Sequence, residues 1–329
     1  MNASTFVYGS EVQGNGEIVA FNVALSAVMF TLALVGLILD VSNLFFIKRL
    51  KIFHTAFGWF WSSRVISDAF LAILNLVYIA PTVLLQPNNT PVFVSVVAYT
   101  IYIVCGVNGC LMHAVIAVNR LVAVYMPIDY SKIFRNSNCA IIISFTAISC
   151  LICVPVFIAV PCNLVGFSPR LYEYVFISCA PEVDRDYSIV ISAANYFCGF
   201  LCFNTVIVDC CTFGRIVYIR KVVKIGADCK TFQRNVRFFK QSAFQNISMV
   251  MAAVFLIHTN SSSSPEKTTA NIIAITSLML THVTNPFIIS SDLQSGSSQT
   301  IDVESVGLDN GITEFVQLTI RRCFENSDL

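Results

Sequence analysis

Long apolar runs separated by short polar segments are the main pattern of this chain. A hydrocarbon layer of ~30 Å requires about 20 apolar residues in helical form, and seven runs reach that length. They cover approximately residues 18–47, 57–85, 91–125, 140–160, 187–219, 241–259 and 270–290. Polar residues interrupt the last two runs, and no further run follows residue 290. The pattern therefore predicts an all-α membrane protein, a seven-helix transmembrane bundle over residues 18–290.

Composition supports a membrane protein and excludes several other classes. The 329 residues are 56% hydrophobic and 12% charged, and the mean hydropathy is +0.73. A soluble domain carries about twice that proportion of charged residues. The sequence contains no nucleophile pair, phosphate-binding loop, metal-spaced His/Cys set or basic nucleic-acid patch. We therefore expect a lipid bilayer around the chain, and no enzymatic activity, cofactor or nucleic-acid partner.

Lysine and arginine lie mainly on one side of the predicted bundle. Fourteen follow or end the first, third and fifth runs, and three lie in the loops on the opposite side. Because basic loops stay cytoplasmic, residues 1–17 should be extracellular and residues 291–329 cytoplasmic. Asn2 and Asn260 begin glycosylation tripeptides, and both then fall outside. The Ser-, Asp- and Gly-rich beginning of the tail should be disordered.

Two acids and one amide lie in the cytoplasmic halves of the predicted helices. At ~1.5 Å per residue, Asp40 and Asp68 lie about 10 and 15 Å from the cytoplasmic helix ends, and Asn285 has a similar depth. Intramembrane carboxylates face the bundle interior. We predict a polar layer of Asp40, Asp68 and Asn285 that repacks between two states, with the acids sharing a proton or a cation. The alternative is two separate carboxyl groups bonded to nearby backbone. Pro286 permits a bend beside this layer.

The end of the third run carries the most specific motif. Residues 117–127 read Ala-Val-Asn-Arg-Leu-Val-Ala-Val-Tyr-Met-Pro, and Tyr130, Ile133 and Phe134 follow. Residues 237–241, Arg-Phe-Phe-Lys-Gln, precede the sixth run, and two cysteines bracket the loop after the fourth. Over about residues 25–291 the chain resembles the G protein-coupled receptors, and more closely the nematode chemoreceptors called serpentine receptor class x.

This resemblance implies a receptor that passes an extracellular small-molecule signal to the α subunit of a heterotrimeric G protein. It implies a multi-pass protein of the plasma membrane, in sensory neurons or cilia. The residues at the coupling end would be Asn119, Arg120, Pro127, Tyr130 and Lys240. The alternative for Arg120 is a snorkelling anchor that sets helix depth. Asn119 stands where many rhodopsin-like receptors have an acid, and an amide holds an arginine only weakly.

The resemblance also bears on the polar layer and on the cysteines. Asp68 lies where rhodopsin-like receptors bind sodium, which implies a possible monovalent cation site, and Asn285-Pro286 resembles their seventh-helix Asn-Pro. Many such receptors tie the second outer loop to a cysteine 25 residues before the arginine, but Ser95 stands there. We therefore predict that Cys162 and Cys179 are bridged within this loop, in an oxidising compartment.

Polar and aromatic residues in the outer half of the bundle are candidates for the ligand pocket. They are Tyr99, Tyr102, Asn108, Asn195, Tyr196 and His258. The outer third helix has no carboxylate for an amine, and the seventh has no lysine for retinal. A small, largely uncharged odorant, pheromone or apolar peptide remains. The alternative function is a ligand-gated channel or transporter-like seven-helix protein that does not couple to G proteins.

Overall fold

The computed structural model describes residues 7–49, 55–159, 164–179 and 189–223, with single residues and short pieces between 247 and 280. Most of the predicted sixth and seventh helices and the tail over 291–329 lie outside the described residues. The helices are α1 (Ala20–Arg49), α2 (Ala56–Leu74), α3 (Ala80–Leu85), α4 (Val92–Tyr125), α5 (Tyr130–Ile133), α6 (Asn136–Ala159) and α7 (Ile189–Val223).

Four of the described helical segments are long and apolar enough to cross a membrane. They are Ala20–Arg49, Ala56–Leu85, Val92–Tyr125 and Tyr196–Ile219, and Asn136–Ile152 is a shorter apolar helix. Many large apolar side chains on these helices are exposed, as in Phe93, Val77 and Phe145. Hydrocarbon chains accept such surfaces as readily as a protein core does. The outward faces of the bundle are thus suited to lipid.

The second segment is a single apolar run in the sequence, but its α-helical hydrogen bonding is interrupted over one turn. A π-helical turn, Asn75–Ile79, separates α2 from α3. Pro81 follows it, and proline has no amide hydrogen and crowds the carbonyl four residues earlier. The wider π turn gives that ring room. Two side chains donate hydrogen bonds to backbone carbonyls near this turn. Asn75 Nδ2 donates to Leu71 O (2.8 Å), and Ser26 Oγ donates to Ala80 O (2.7 Å).

α4 is the central helix of the described bundle. It packs against α2, α6, α7 and a short β-hairpin. We call the end of the bundle beside this hairpin the hairpin end, and the opposite one the Arg120 end. An apolar cluster at the Arg120 end joins α1, α2, α4 and α6 through Ile47, Phe60, Trp61, Ile116 and Cys139. The helices that carry the candidate site are therefore held together by ordinary core packing.

The hairpin is inserted among the helices. Its strands are β1 (Val165–Ser168) and β2 (Glu173–Phe176), paired antiparallel. All four β1 residues are buried, and the side chain of Phe167 is 0% exposed. Phe167 packs in one cluster with Met29 of α1 and Val83 of α3. The hairpin therefore closes this end of the bundle and forms part of its core.

The segment before α1 fastens the hairpin end. Gln13 Nε2 donates to Thr90 O (2.9 Å), and Gln13 Oε1 accepts from Thr90 N (2.7 Å). Gly14 N donates to Pro87 O (2.6 Å), and its carbonyl accepts from Arg170 Nη2 (3.1 Å). Gly14 also lies directly against the backbone of Gln86, where a β-carbon would not fit. The segment thus links the loop before α4 to the hairpin.

A disulfide-bonded cysteine, Cys179, follows the hairpin, three residues after the end of β2. The free cysteines among the described residues all lie on α4, α6 or α7. Cys162 lies outside the described residues, so the Cys162–Cys179 bridge stays a prediction. Ser95 of α4, 0% exposed, lies against Gly166 of β1. Packing at Ser95 is one of the contacts between the hairpin and α4.

We expect Gly166→Ala to destabilise the protein by about 1–3 kcal/mol, because overpacking a filled site costs that much. An added β-carbon would lie 2.6 Å from Val12 Cγ1 and 2.8 Å from Ser95 Cβ. Thermal unfolding of the purified protein measures the loss. Gly106→Ala on α4 is the control, since its β-carbon would meet nothing within 4 Å. Equal melting temperatures for the two variants would contradict the hairpin packing.

Candidate functional site

A buried ion pair lies within the second membrane segment. Arg64 and Asp68 are 2% exposed, and Arg64 Nε lies 3.7 Å from Asp68 Oδ2. Residues four apart share one face of a helix, which brings both charges to the bundle interior. A permanent cation inside a membrane bundle needs such a partner. Arg64 is therefore part of the candidate site beside the predicted Asp68.

His113 of α4 completes this contact from the neighbouring helix. Arg64 Nη1 and His113 Nδ1 are in hydrogen-bond contact. A guanidinium can only donate, so His113 Nδ1 accepts and carries no proton. The indole ring of Trp61 also lies below the guanidinium, 5.7 Å from its central carbon to the ring. The contact joins α2 to α4 at mid-bundle through polar atoms.

α1 contributes two further polar side chains at this level. Asp40 and Asn43 are each 1% exposed, and Asp40 interacts electrostatically with both Asp68 and Arg64. Neither Asp40 nor Asn43 has a side-chain hydrogen-bond partner among the described residues. We call Asp40, Asn43, Arg64, Asp68 and His113 the polar layer. The predicted members Asn285 and Pro286 lie outside the described residues.

The polar layer bears on the cation expected at Asp68. Arg64 places a fixed positive charge next to that carboxylate, and an added monovalent cation would compete with it. No group of three or more His, Cys, Asp or Glu side chains is placed to hold a metal ion within the described part of the chain. The guanidinium of Arg64 is thus the counter-charge that the structure supplies to Asp68.

The Arg120 end is organised by the residue before the arginine. Tyr130 of α5 donates from its hydroxyl to Asn119 Oδ1 (3.0 Å), and both residues are buried. Burial raises the pKa of Tyr130 to about 12, so the phenol stays protonated and donates at neutral pH. Asn119 therefore holds the segment between α4 and α6, which includes the half-buried Pro127.

Arg120 itself has an aromatic and an acidic neighbour on other helices. Its guanidinium carbon lies 5.6 Å from the ring of Phe57 at the start of α2. It interacts electrostatically with Asp209 of α7, whose side chain is 3% exposed. An acid of the fifth segment thus acts electrostatically on the arginine, whereas the sequence shows no acid directly beside it. Lys240, the other predicted coupling residue, lies outside the described residues.

The hairpin end contains a cluster of aromatic rings. Tyr174 of β2 packs against both Tyr102 and Tyr99 of α4, with centroid distances of 4.5 and 5.1 Å, and the two α4 rings are themselves 6.3 Å apart. Phe167 of β1 lies 5.5 Å from Tyr174 on another side. The hydroxyl of Tyr174 is buried and has no hydrogen-bond partner among the described residues. We call Tyr99, Tyr102, Phe167 and Tyr174 the aromatic cluster.

The predicted ligand residues divide among different places. Tyr99 and Tyr102 meet in the aromatic cluster. Asn108 Nδ2 donates to Ser67 Oγ (2.8 Å), which directs that side chain toward α2. Tyr196 is 63% exposed and does not join the cluster. The side chain of Asn195 and all of His258 lie outside the described residues.

Sequence analysis missed Arg64, His113, Asp209 and Tyr174 as site residues. A signal existed for two of them. Arg64 and Asp68 have the four-residue spacing of a helical ion pair, and Asp209 is the sole acid in the fifth apolar run. His113 and Tyr174 carried no signal, because their importance comes from side chains on other elements.

A protein-family model matches most of the chain. The family described as serpentine type 7TM GPCR chemoreceptor Srx matches residues 30–291, about four-fifths of the chain. No curated protein matches the sequence. The matched region contains the polar layer, Arg120 and the aromatic cluster.

We expect Asp68→Asn to destabilise the receptor by about 3–5 kcal/mol, because it removes one partner of a buried ion pair. Thermal unfolding in detergent and the amount of receptor at the cell surface measure the effect. Asp40→Asn is the matched control. Its change should stay within about 1 kcal/mol, since neither oxygen has a described partner and an amide is cheaper to bury than a carboxylate. The opposite ranking would remove Arg64–Asp68 as the central pair.

Proposed function

Since the chain belongs to the serpentine type 7TM chemoreceptor family Srx, we propose that it binds a small extracellular molecule and activates a heterotrimeric G protein. As a member of this family it is a seven-helix, multi-pass membrane receptor. The match over residues 30–291 carries the proposal. The aromatic cluster, the polar layer and the Arg120 end together suggest the physical route from ligand to partner.

We infer that the hairpin end faces outside and the Arg120 end faces the cytoplasm. The basic residues that follow the first, third and fifth segments support this orientation. The bridge at Cys179 supports it too, since disulfides persist in oxidising compartments. The location that fits is the plasma membrane of sensory neurons or their cilia. The seventh-segment residues Asn285 and Pro286 belong to the proposed polar layer.

α4 offers a direct physical link between the two ends. Tyr102, His113 and Arg120 lie on this one helix, and a rise of ~1.5 Å per residue separates them by about 16 and 10 Å. A ligand-induced change at the aromatic cluster would move α4 relative to α2. That movement would strain the Arg64–His113 contact between the two helices. Packed interfaces respond to such strain by changing between discrete arrangements. The proposed signal is therefore a repacking of the polar layer.

Arg120 is the proposed contact with the C-terminal helix of the G protein α subunit. Its guanidinium lies over Phe57 and in the field of Asp209, so both neighbours must yield before it can reach a partner. Asn119 and Tyr130 fix the adjoining segment, and Pro127 and Lys240 complete the proposed surface. Guanidinium groups suit this role because their fork of donors can cap the carbonyls at a helix end.

We expect Arg120→Ala to lower G protein activation at least about tenfold, as expected when a charged contact at an interface is truncated. The measurement is second-messenger production with a promiscuous G protein against an odorant panel, normalised to surface receptor. Arg135→Ala removes an exposed arginine from the next loop and should have little effect.

Arg120→Lys separates coupling from anchoring. A lysine can snorkel but cannot form the guanidinium fork, so we expect most of the coupling to be lost. Full coupling at normal surface expression would favour the anchor. Ion currents that persist after G protein blockade would favour the channel alternative.

We expect Tyr130→Phe to weaken coupling while surface expression stays close to normal. The change removes one hydrogen bond, worth about 1 kcal/mol, and releases the segment that Asn119 holds. Tyr125→Phe is the control, since its hydroxyl is in an exposed side chain with one long bond (3.4 Å) to Cys211 O. Unchanged coupling in Tyr130→Phe would exclude a role for the Asn119 contact.

A further inference from the structure

We propose that the space filled by the Tyr174 ring is the ligand site, and that a small uncharged ring compound displaces this ring. Tyr174 is then an internal occupant of the pocket. The proposal rests on the proposed function, since it names the ligand class for that receptor. It starts from one observation: the hairpin places an aromatic side chain where sequence analysis expects ligand.

The surroundings of Tyr174 define the shape of the compound. The ring of Tyr102 is 4.5 Å away, that of Tyr99 5.1 Å and that of Phe167 5.5 Å, at interplanar angles of 35°, 56° and 71°. Aromatic pairs are favourable at these separations in offset and edge-to-face geometries. Three rings therefore border the place of one, which suits a single six-membered ring.

The same surroundings define its charge. Tyr99 and Tyr102 belong to a cluster whose other members are Ile103, Val104, Val107, Leu111, Cys150, Val165, Tyr174, Phe176 and Cys198. The side chains that act electrostatically on the Tyr174 hydroxyl are those of Tyr102, Tyr78 and Tyr99, and none of the three carries a charge at neutral pH. An ion placed among them would lose its hydration without a compensating partner. The site therefore selects uncharged compounds.

The hydroxyl of Tyr174 weakens the binding of this ring in the site. It is buried without a hydrogen-bond partner among the described residues. The neighbouring tyrosines differ, since Tyr172 donates to Asn22 Oδ1 (2.5 Å) and Tyr78 shares a 2.7 Å bond with Ser95 Oγ. An unpaired buried hydroxyl weakens binding roughly tenfold or more. An apolar ring of the same size should therefore occupy the site better than Tyr174 does.

The attachments of the hairpin allow this exchange. Hydrogen bonds at its turn and after β2 attach the hairpin to the rest of the chain. Gln86 donates to Pro169 O (2.8 Å) and Arg170 donates to Gly14 O (3.1 Å). Ser178 N donates to Glu11 Oε1 (3.3 Å). Tyr174 lies between these anchors and is held by ring packing, so it can leave its place while they remain.

The test uses the purified full-length receptor in nanodiscs, with toluene as the probe. Tyr174→Ala leaves a ring-sized cavity of the kind that binds benzene in other proteins. We expect toluene to raise the melting temperature of Tyr174→Ala more than that of the unsubstituted receptor. p-Cresol, which carries the tyrosine hydroxyl, should need roughly tenfold higher concentration. Benzoate and benzylammonium should give no shift, because they are charged.

Two further variants make the result decisive. Tyr172→Ala removes a tyrosine from the same hairpin whose ring lies at the edge of Phe21 (6.1 Å), and it should gain no toluene shift. Tyr174→Phe deletes only the unpaired hydroxyl. It should melt higher than the unsubstituted receptor and respond more weakly to toluene, because the occupant is then better.

The outcomes separate this proposal from the proposed function. Equal toluene shifts in folded Tyr174→Ala and Tyr172→Ala would overturn the ligand site. A lower melting temperature for Tyr174→Phe would do the same, even if Tyr174→Ala failed to fold, since it would show a partner for the hydroxyl. Both readouts are independent of G protein. Receptor that binds toluene as expected but never signals would overturn the proposed coupling alone.

Discussion

The guanidinium of Arg64 sets the strongest constraint on this bundle. It is a permanent charge inside a membrane segment, and hydrocarbon offers it no hydration. Its partners are Asp68 one turn away and His113 on α4, so α2 and α4 must face each other there. Asp40 brings α1 to the same level. One buried cation thus sets how α2 and α4 are rotated toward each other, and it draws an acid of α1 to the same level.

This constraint also explains why the polar layer suits a switch. Breaking a buried ion pair is costly, but two arrangements that both keep the charges paired can have similar free energies. Two acidic side chains lie near a single fixed cation, since Asp40 interacts electrostatically with Arg64 and Asp68 is paired with it. Asp40 and Asn43, without described hydrogen-bond partners, have polar atoms available for another arrangement.

Polar side chains at the Arg120 end of α4 have partners, whereas the buried hydroxyl at the hairpin end has none among the described residues. At the Arg120 end, Asn119 is tied to Tyr130 and Arg120 has Phe57 and Asp209 nearby. At the hairpin end, the aromatic cluster excludes charge and leaves the Tyr174 hydroxyl unpaired. Ser95 and Gly166 bring the hairpin against α4 by close packing. An apolar, displaceable contact at one end and a charged contact at the other fit a receptor whose input and output differ in chemistry.

The sequence by itself determined the membrane class, the apolar segments and the resemblance to the family, because hydropathy and short motifs are local properties of the chain. It also singled out Asp40, Asp68 and Arg120, since an isolated charge in an apolar run is visible without a structure. Only the tertiary structure decided that Arg64 meets His113, that Asp209 faces Arg120 and that Tyr174 fills the aromatic cluster. The break at Asn75–Ile79 likewise arose from backbone accommodation of Pro81. These contacts depend on which helices are neighbours and how each is rotated, and the hydropathy of the sequence carries no information on either.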